Sequence, residues 1–371
     1  MNQKPSFLII TRQDHRASRK VNIHFIADQL VNRGKIRIFS FAFSWLSRIK
    51  KDPRIGLWNA CNKAVTHKGV DCYLWRSTLH PVNLRKGFLL PLEKLLFAVY
   101  LLMIPSVLKQ WIKESNLIIF ESGFPILLIR LCKRLNPHAT LVYLASDSLE
   151  TISCATTIIN EFYAVSSLID YAIITSRIMK PEMPEQTPTY LVPFAQDTSI
   201  LQHTDPSPYE GGVNIVSVGD MLFDRTFFEM AADAFPDITF HVIGGGAKAD
   251  PLNEKNIKKY SEMPFLQTIP YIKHANAGVA PYNGEKVSPF LMDTSMKLMQ
   301  YGFLGTPAIC PQTVVGTYAG RFGYTPGDKQ SIIMAIKNAL QCGHFESIPT
   351  LSWEDVTNRI IDPKAYPETL I

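Results

Sequence analysis

Apolar runs of strand length alternate with helical stretches along most of the chain, and no other feature restricts the fold as strongly. The first run, SFLIITR, is followed by KVNIHFIADQLVNRG, in which Ile23, Ile26 and Leu30 recur at helical spacing before Gly34. Strands that are separated by helices form βαβ units, whose strands lie parallel in one sheet. The sequence therefore predicts an α/β protein built on parallel sheets.

The alternation occurs twice, which predicts two Rossmann-like domains. The first series contains SFLIITR, KIRIFSF, DCYLWR, NLIIFES, ATLVYLAS and YAIITSR, and the second contains VNIVSVGD, ITFHVIGGG, LQTIPY, AGVAPY and TPAIC. Residues 192–212, rich in proline, glycine and polar residues, separate the two series. We expect domains over 1–196 and 197–371 that face a cleft. The tail 353–371, which includes the helix WEDVTNRII, is expected to cross back onto the N-terminal domain.

Two such halves predict nucleotide binding at the carboxyl ends of the strands. A dehydrogenase of this build would carry G-x-G-x-x-G after its first strand, but TRQDHRASRK contains no glycine. The three glycines of HVIGGGAK follow a later strand and more often mark a tight turn. The sequence therefore does not support a dinucleotide-dependent dehydrogenase.

Basic residues are concentrated in the first third of the chain. The net charge is +6, yet residues 1–116 contain 20 Lys and Arg against 6 Asp and Glu, and the remainder contains 18 against 26. This distribution indicates an anionic partner, such as a membrane surface, a phosphorylated substrate or nucleic acid. A nucleic-acid-binding protein would need stacking platforms or a recognition module, and none is legible.

The cysteines and the first residues both indicate a cytoplasmic protein. The six cysteines are scattered without a C-x-x-C pair, which is typical of reduced packing residues and argues against a zinc site. The apolar run Phe7–Ile10 is too short for the core of a signal peptide.

The longest apolar segment, residues 88–113, is either a buried helix or a helix that lies in a membrane interface. Glu93, Lys94 and Pro105 interrupt it, so that its apolar part is about half of the ~20 residues that span a bilayer. Basic neighbours favour the interface. A second segment, SWLSRIKKDPR, mixes Trp45 and other apolar residues with four cations. We expect these two segments to form a surface for an anionic membrane.

Two carboxylates follow predicted strands of the first half. Asp147 stands in YLASDSLE and Glu121 in IIFESG. An acidic residue in this position is either the cap of the next helix or a functional group at the sheet edge. Both interpretations remain open from the residues alone.

The order of several unusual motifs resembles the GumK-type family of β-glucuronosyltransferases, which assemble xanthan-type exopolysaccharides. The motifs lie between residue 16 and about residue 301; they are RASRKVNIHFIADQL, DCYLWRSTLHPVN, FESG, YLASDSL, SVGDMLFD, FHVIGGG, EMPF, GVAPY and SMKLMQY. The resemblance implies the two-domain GT-B fold and an inverting transfer of glucuronic acid. The donor would be UDP-glucuronate, and the acceptor a mannose of a polyprenyl-diphosphate-linked oligosaccharide. The resemblance also implies no required metal and a place at the cytoplasmic face of the bacterial inner membrane.

The resemblance also assigns roles to residues. It implies that Asp147 is the general base, with Glu121 in reserve, and that the donor is bound by six residues of the second half. These six are Met221, Glu262, Tyr282, Met296, Lys297 and Gln300. A helix that begins at about Thr294 would direct its free N–H groups and Lys297 at the diphosphate. Met296, Gln300 and Tyr282 have an alternative role in packing or at the solvated surface.

An arginine or lysine should pair with the carboxylate of the donor. The loop TRQDHRASRK offers Arg12, Arg16, Arg19 and Lys20, of which we expect Arg19 to contact that carboxylate or the acceptor diphosphate. A solvated helix start is the alternative. His15 and His24 are expected to be structural or acceptor-facing because no acidic cluster accompanies them.

Three other functions stay open. Glu285 and Asp293 are separated by seven residues, as in many retaining transferases of this fold. The donor could also be UDP-glucose or a UDP-N-acetylhexosamine. A protein that binds nucleotide sugars without catalysis is the third alternative.

Overall fold

The computed structural model describes residues 4–17, 20–49, 52–80, 83–84, 87–202, 205–283 and 287–371. The chain divides into two compact units. The first consists of Met1–Pro193 with Trp353–Ile371, and the second of Phe194–Ser352. Each unit has a sheet of parallel strands, as the alternation in the sequence predicted.

The first unit contains a sheet of eight strands. They are β1 (Ser6–Thr11), β2 (Lys35–Phe43), β3 (Ala64–His67), β4 (Val70–Arg76), β5 (Leu117–Glu121), β6 (Thr140–Ala145), β7 (Tyr171–Ile174) and β8 (Thr189–Leu191). Their order is β3-β4-β2-β1-β5-β6-β7-β8, and only β3 pairs antiparallel, with β4. Its helices are α1 (Asn22–Val31), α2 (Trp45–Ile49), α3 (Leu90–Leu102), α4 (Ser106–Lys113), α5 (Ile129–Leu135) and α6 (Thr156–Ala164). β1 and β5 are buried along their whole length. Strands that are covered on both faces need nearly continuous apolar runs, which explains why these two strands could be recognised in the sequence.

The second unit contains a parallel sheet of six strands. They are β9 (Val213–Val218), β10 (Ile238–Ile243), β11 (Ile257–Tyr260), β12 (Ala277–Val279), β13 (Ala308–Pro311) and β14 (Arg321–Tyr324), in the order β11-β10-β9-β12-β13-β14. Its helices are α7 (Arg225–Ala234), α8 (Phe265–His274), α9 (Leu291–Thr294), α10 (Met296–Phe303) and α11 (Lys329–Cys342).

The last helix, α12 (Trp353–Ile361), packs against α1 of the first unit. The rings of Trp353 and Phe25 stack with their centroids 4.8 Å apart. The backbone N–H of Ile371 donates to the carbonyl of Thr189 at 3.0 Å, beside β8. The first unit therefore ends at Pro193 and is completed by the tail 353–371, which is not part of the second unit.

The run LQTIPY was expected to form a strand, and this expectation is wrong. It lies in α8, where Thr268, Ile269 and Ile272 are the buried residues. This spacing places the three side chains on one face of a helix, although Pro270 lies inside it. The strand next to β10 is instead β11, whose sequence IKKY gives little apolar signal.

Helix α3 exposes a row of apolar side chains. Its exposed side chains recur at helical spacing and are those of Leu92, Leu95, Val99 and Leu102, with exposed fractions of 47%, 60%, 40% and 83%. The opposite face is held by the buried carboxylate of Glu93, which accepts hydrogen bonds from the Thr157 hydroxyl at 2.6 Å and from the Leu84 N–H at 3.0 Å. Residues 88–113 are therefore neither fully buried nor fully exposed, since α3 presents one apolar face to the surface and packs with the other.

Within the residues that the structure describes, no single helix is long and apolar enough to cross a membrane. The segments Gly87–Leu102 and Ser106–Lys113 meet the length and composition criteria only as a pair, which is bent by 77°.

Candidate active site

The candidate base lies just beyond the carboxyl ends of three neighbouring strands, β1, β5 and β6. These strands are in register, because Ile10 pairs with Phe120 and Glu121 pairs with Leu144. Thr11 and Glu121 end their strands side by side, and the Thr11 hydroxyl donates to the Glu121 carboxylate. The loop that follows β6 carries Asp147. Parallel strands bring their carboxyl ends to one edge of a sheet, so that the two acidic residues of the sequence motifs come to the same edge.

Two hydroxyl groups fix the backbone of the loop that carries Asp147. The Ser122 hydroxyl donates to the carbonyl of Asp147 at 2.8 Å and accepts from its N–H at 3.2 Å. The Ser146 hydroxyl accepts from the Asn22 amide at 3.1 Å, which connects the loop to the start of α1. Asp147 does not cap α6, since that helix begins at Thr156 after the cap residue Ala155. The capping alternative is therefore wrong for Asp147.

The two carboxyl groups differ in exposure and in acidity. The Asp147 side chain is exposed and makes no ion pair within the described residues, while the surrounding protein removes part of its hydration and raises its pKa. Glu121 is buried, and burial raises the pKa of its carboxyl group to about 7; hydrogen bonding to Thr11 opposes this shift, and the nearby charge of Asp147 adds to it. Glu121 is therefore partly protonated near neutral pH, and the exposed Asp147 is the stronger candidate for the base.

Three of the expected donor residues follow strands of the second sheet. Met221 follows β9, Glu262 follows β11 and Tyr282 follows β12, so all three belong to the carboxyl edge of this sheet. Met221 and Glu262 are exposed. Gly244, at the end of β10, has a φ of +65°, and a Cβ atom on it would lie 3.5 Å from the Cα of Glu262. The positive φ therefore favours glycine at this position, while the contact itself is an ordinary van der Waals distance.

Lys297 lies in the first turn of α10, at the same edge. The helix begins at Met296, because the Ser295 hydroxyl caps it by accepting from the Leu298 N–H at 3.2 Å. α9 ends at Thr294, so the expected start at about Thr294 is two residues too early. The Lys297 ammonium lies 3.5 Å from the carbonyl oxygen of Gly219 and 5.6 Å from the centroid of the Tyr282 ring.

Burial lowers the pKa of Lys297 to about 7, although the nearby carboxylate of Asp220 opposes the shift. A lysine with this pKa is only partly charged near neutral pH. An anion that binds beside it would restore the charge. The first N–H groups of α10 have no acceptor inside the helix, so they add positive potential at the same place.

Tyr282 supports this arrangement from inside the core. Its side chain is fully buried, and its hydroxyl lies 2.5 Å from the hydroxyl of Ser295. Tyr282 thus contacts both the helix cap and Lys297. The Tyr282 ring packs in the core, as the packing alternative expected, and its hydroxyl contacts the residue that caps α10.

Gln300 and Met296 lie one turn apart on α10. Gln300 is buried, and its Nε2 atom has no hydrogen-bond partner within the described residues. A buried donor without a partner costs free energy, which is expected where a ligand supplies the acceptor. Met296 is 42% exposed, and its sulfur lies 3.9 Å from the amide nitrogen of Gln196. Neither side chain is therefore a simple packing residue.

The basic loop after β1 is only partly described, and Arg19 lies outside the described residues. Arg16 binds the carboxylate of Asp14 through two hydrogen bonds of 2.8 Å, and Lys20 donates to the His15 carbonyl at 2.6 Å. Arg12 is exposed and makes no ion pair within the described part of the chain. Arg12 is therefore a further candidate for an anion, which the sequence did not single out.

His15 in this loop and His24 in α1 are both buried, and each ring contacts a neighbouring residue through one nitrogen. The His15 ring lies 2.7 Å from the Asp28 carboxylate, and the His24 ring accepts from the N–H of Val21 at 3.2 Å. In the part of the chain that the structure describes, no group of three or more His, Cys, Asp or Glu could hold a metal ion.

The pair considered for a retaining mechanism is only half described. Glu285 lies outside the described residues, whereas Asp293 accepts a hydrogen bond of 2.7 Å from the Tyr318 hydroxyl.

Two parallel-sheet units with these residues at the strand ends define the GT-B fold of glycosyltransferases. Among solved structures, Alr3699/HepE of Anabaena, determined with UDP and glucose, has this fold. Its sequence is 12% identical to this chain, the superposition covers 99% of each chain, and the TM-score is 0.61. Sucrose-phosphate synthase of Thermosynechococcus elongatus is 14% identical over 98% of each chain, with a TM-score of 0.59. Identities this low show the fold alone, and the predicted fold class is confirmed.

Sequence comparison identifies the family. Residues 9–175 match the family described as Glucuronosyltransferase GumK, N-terminal domain. The UDP-glucuronate:glycolipid 2-beta-glucuronosyltransferase of Xanthomonas campestris pv. campestris is 47% identical over 99% of this chain and 92% of its own length. The chain therefore belongs to the GumK family of glucuronosyltransferases. The predicted family and the predicted enzyme class are both confirmed.

Proposed function

We propose that this enzyme transfers glucuronic acid from UDP-glucuronate to a hydroxyl group of a lipid-linked oligosaccharide, with inversion. The observation that carries the proposal is Asp147, an exposed carboxylate without an ion-pair partner in the described residues and held by its backbone at the sheet edge. The relative from Xanthomonas, whose name specifies UDP-glucuronate and a glycolipid, supports the choice of substrates.

In this mechanism Asp147 takes the proton of the acceptor hydroxyl as its oxygen attacks the anomeric carbon of the donor. The bond between that carbon and the diphosphate oxygen breaks, and its electron pair leaves with UDP. A single displacement inverts the anomeric carbon, so that the α-linked donor gives a β-linked product. The raised pKa of Asp147 makes its carboxylate a better base than that of an ordinary aspartate.

The donor diphosphate is assigned to Lys297 and to the first N–H groups of α10. Both supply positive charge where negative charge develops on the leaving group. Gln300, whose amide lacks an acceptor, and the exposed side chains of Met221, Glu262 and Met296 would complete the nucleotide site. Arg19 remains our candidate for the donor carboxylate or the acceptor diphosphate. We propose no metal cofactor, which predicts undiminished transfer after treatment with EDTA.

The acceptor is proposed to be a mannose on a polyprenyl diphosphate, and the enzyme to bind peripherally to the cytoplasmic face of the inner membrane. The support is the exposed apolar row of α3 together with Trp45 and Ile49 of α2, which are 62% and 77% exposed. Each cation near an anionic leaflet contributes roughly 1 kcal/mol. High salt should therefore weaken sedimentation with anionic vesicles. Release by detergent alone would show that apolar insertion dominates.

The decisive experiment substitutes Asp147→Asn and compares it with Glu150→Gln, an exposed acidic residue of the same loop. Transfer from UDP-glucuronate to a mannose-terminated lipid acceptor should fall at least about 100-fold in the first variant, because a general base contributes at least that factor. UDP-glucuronate affinity, measured by calorimetry, should stay unchanged in both.

Equal transfer by Asp147→Asn would refute the mechanism. A wild-type protein that binds UDP-glucuronate but transfers nothing would indicate the binding protein without catalysis. A donor panel tests the sugar separately: thermal stabilisation by UDP-glucose but not by UDP-glucuronate would overturn the uronate assignment.

A further inference from the structure

An open groove of about 720 Å³ lies in the helical layer of the first unit, between α3, α5 and α6. Its floor is apolar and is formed by Phe97, Ala98, Leu101, Ile104, Leu127 and Leu131. A volume of this size lies within the range of small-molecule sites. The groove plays no part in the transfer mechanism proposed above.

Cations line this groove. Lys94, Arg130 and Arg134 contribute three positive charges, and Glu161 contributes the one carboxylate among the lining residues. Arg130 pairs with Glu161 at 2.6 Å, whereas Lys94 and Arg134 make no ion pair within the described residues. Arg130 and Arg134 lie one turn apart on α5 and hence on the same face. An occupant of this groove therefore has an apolar body and an anionic group.

The groove is continuous with the exposed apolar row of α3. Leu102 belongs both to the row and to the lining of the groove, and it is 83% exposed. A membrane that meets the row would place its lipids at the opening of the groove. An apolar chain could then enter from the bilayer without crossing water.

We propose that the groove binds one anionic phospholipid of the membrane, with an acyl chain on its floor and the phosphate at its cations. The inference rests on the proposed membrane association and adds a specific lipid site to it. A bilayer phospholipid is favoured over the reacting glycolipid because the cations lie on helices, whereas Asp147 and Glu121 lie at the strand ends.

The test uses the full chain without membranes and needs no turnover. Dioctanoyl phosphatidylglycerol, kept below its micellar concentration, is titrated into the protein and followed by calorimetry. Dioctanoyl phosphatidylcholine and glycerol phosphate are titrated in parallel. We expect one phosphatidylglycerol to bind per chain, phosphatidylcholine to bind at least about fivefold more weakly, and glycerol phosphate to bind far more weakly than either.

Two variants locate the site, and a third serves as a matched control. Ala98→Trp fills the floor and should weaken both phospholipids. Arg134→Glu should weaken phosphatidylglycerol at least about fivefold and leave phosphatidylcholine nearly unchanged. Lys133→Glu makes the same charge change on the same helix outside the groove, so it should alter neither lipid by more than about twofold.

Unchanged phosphatidylglycerol binding in Ala98→Trp would overturn the proposal. Glycerol phosphate that binds as tightly as phosphatidylglycerol would also overturn it, because the groove would then bind any small anion. Binding of farnesyl diphosphate in place of phosphatidylglycerol would assign the groove to an isoprenoid and would also overturn it. The double variant Leu92→Ser, Leu95→Ser separates this site from the proposed docking surface. It should lose vesicle flotation and keep phosphatidylglycerol binding.

Discussion

The affinity for UDP-glucuronate should depend on pH through Lys297. In the unliganded protein the pKa of this lysine is about 7, because it is buried with little compensating charge. A bound diphosphate would raise the pKa toward or above the ordinary value of about 10.4. Binding therefore takes up a proton whenever the pH exceeds about 7.

The size of the effect follows from these two values. Below the lower pKa the lysine is already charged, and the affinity is at its maximum. Between about pH 6 and about pH 8.5 the fraction of charged lysine in the free protein falls roughly 30-fold, so the apparent dissociation constant should rise by the same factor, or about 2 kcal/mol. The contribution of Lys297 to the binding of UDP-glucuronate is thus fully present at low pH. It is lost as the pH rises above the pKa that this lysine has in the unliganded protein.

Calorimetry at constant ionic strength measures this dependence, and repeating it in buffers of different ionisation enthalpy counts the protons. UDP-glucuronate is preferred to UDP as the ligand, since its diphosphate has no terminal phosphate that titrates near pH 6. Lys297→Arg retains a charge throughout the range and should flatten the profile, while Lys297→Met should bind weakly at every pH. A flat wild-type profile, or an equal slope in Lys297→Arg, would refute the role of this lysine.

Three further substitutions have defined outcomes. Glu121→Gln preserves an acceptor for the hydroxyl of Thr11, so the fold should remain. In the wild type, ionisation of the Glu121 carboxyl predicts an inflection of the transfer rate near pH 7, and the variant should lose this inflection. An unchanged pH–rate profile would contradict this prediction. Tyr282→Phe removes the hydroxyl contact to Ser295 and should weaken UDP-glucuronate by about 1 kcal/mol in calorimetry, and full affinity would show that the cap needs no support. Trp353→Ala should lower the free energy of unfolding of the first unit by about 3 kcal/mol, which hydrogen exchange can resolve from an unchanged second unit.

The sheets were predictable because buried parallel strands carry apolar runs that can be read directly, as in SFLIITR and NLIIFES. β11 escaped prediction because its IKKY sequence has almost no such signal, and α8 was misread because a short apolar run fits a strand as well as a helix. The break between α9 and α10 depends on the hydroxyl of Ser295, a cap residue that can be recognised in the sequence DTSMK once it is considered.

The candidate site residues could be proposed from the sequence, but the contacts that support them could not. Asp147 and Lys297 were identified through the family motifs. Their protonation depends on burial and on contacts with residues distant in the chain, and periodicity does not reveal such contacts. The roles of Ser122 and Thr11 belong to this class. Hydroxyls at strand ends are common, and only the register brings Thr11 beside the Glu121 carboxylate and Ser122 beside the backbone of Asp147.

The tail beyond Ser352 affects the order in which the two units can fold during synthesis. As the chain leaves the ribosome, the second unit has all of its residues before α12 exists, although the first unit begins with the earliest residues. The second unit, to which the donor is assigned above, can therefore finish folding first, while the unit that carries Asp147 still lacks α12. On the proposed assignment of the donor, a premature stop just after Ser352 would leave a chain that keeps the donor-binding residues of the second unit and lacks the helix that packs on α1. Such fragments would compete for UDP-glucuronate without consuming it.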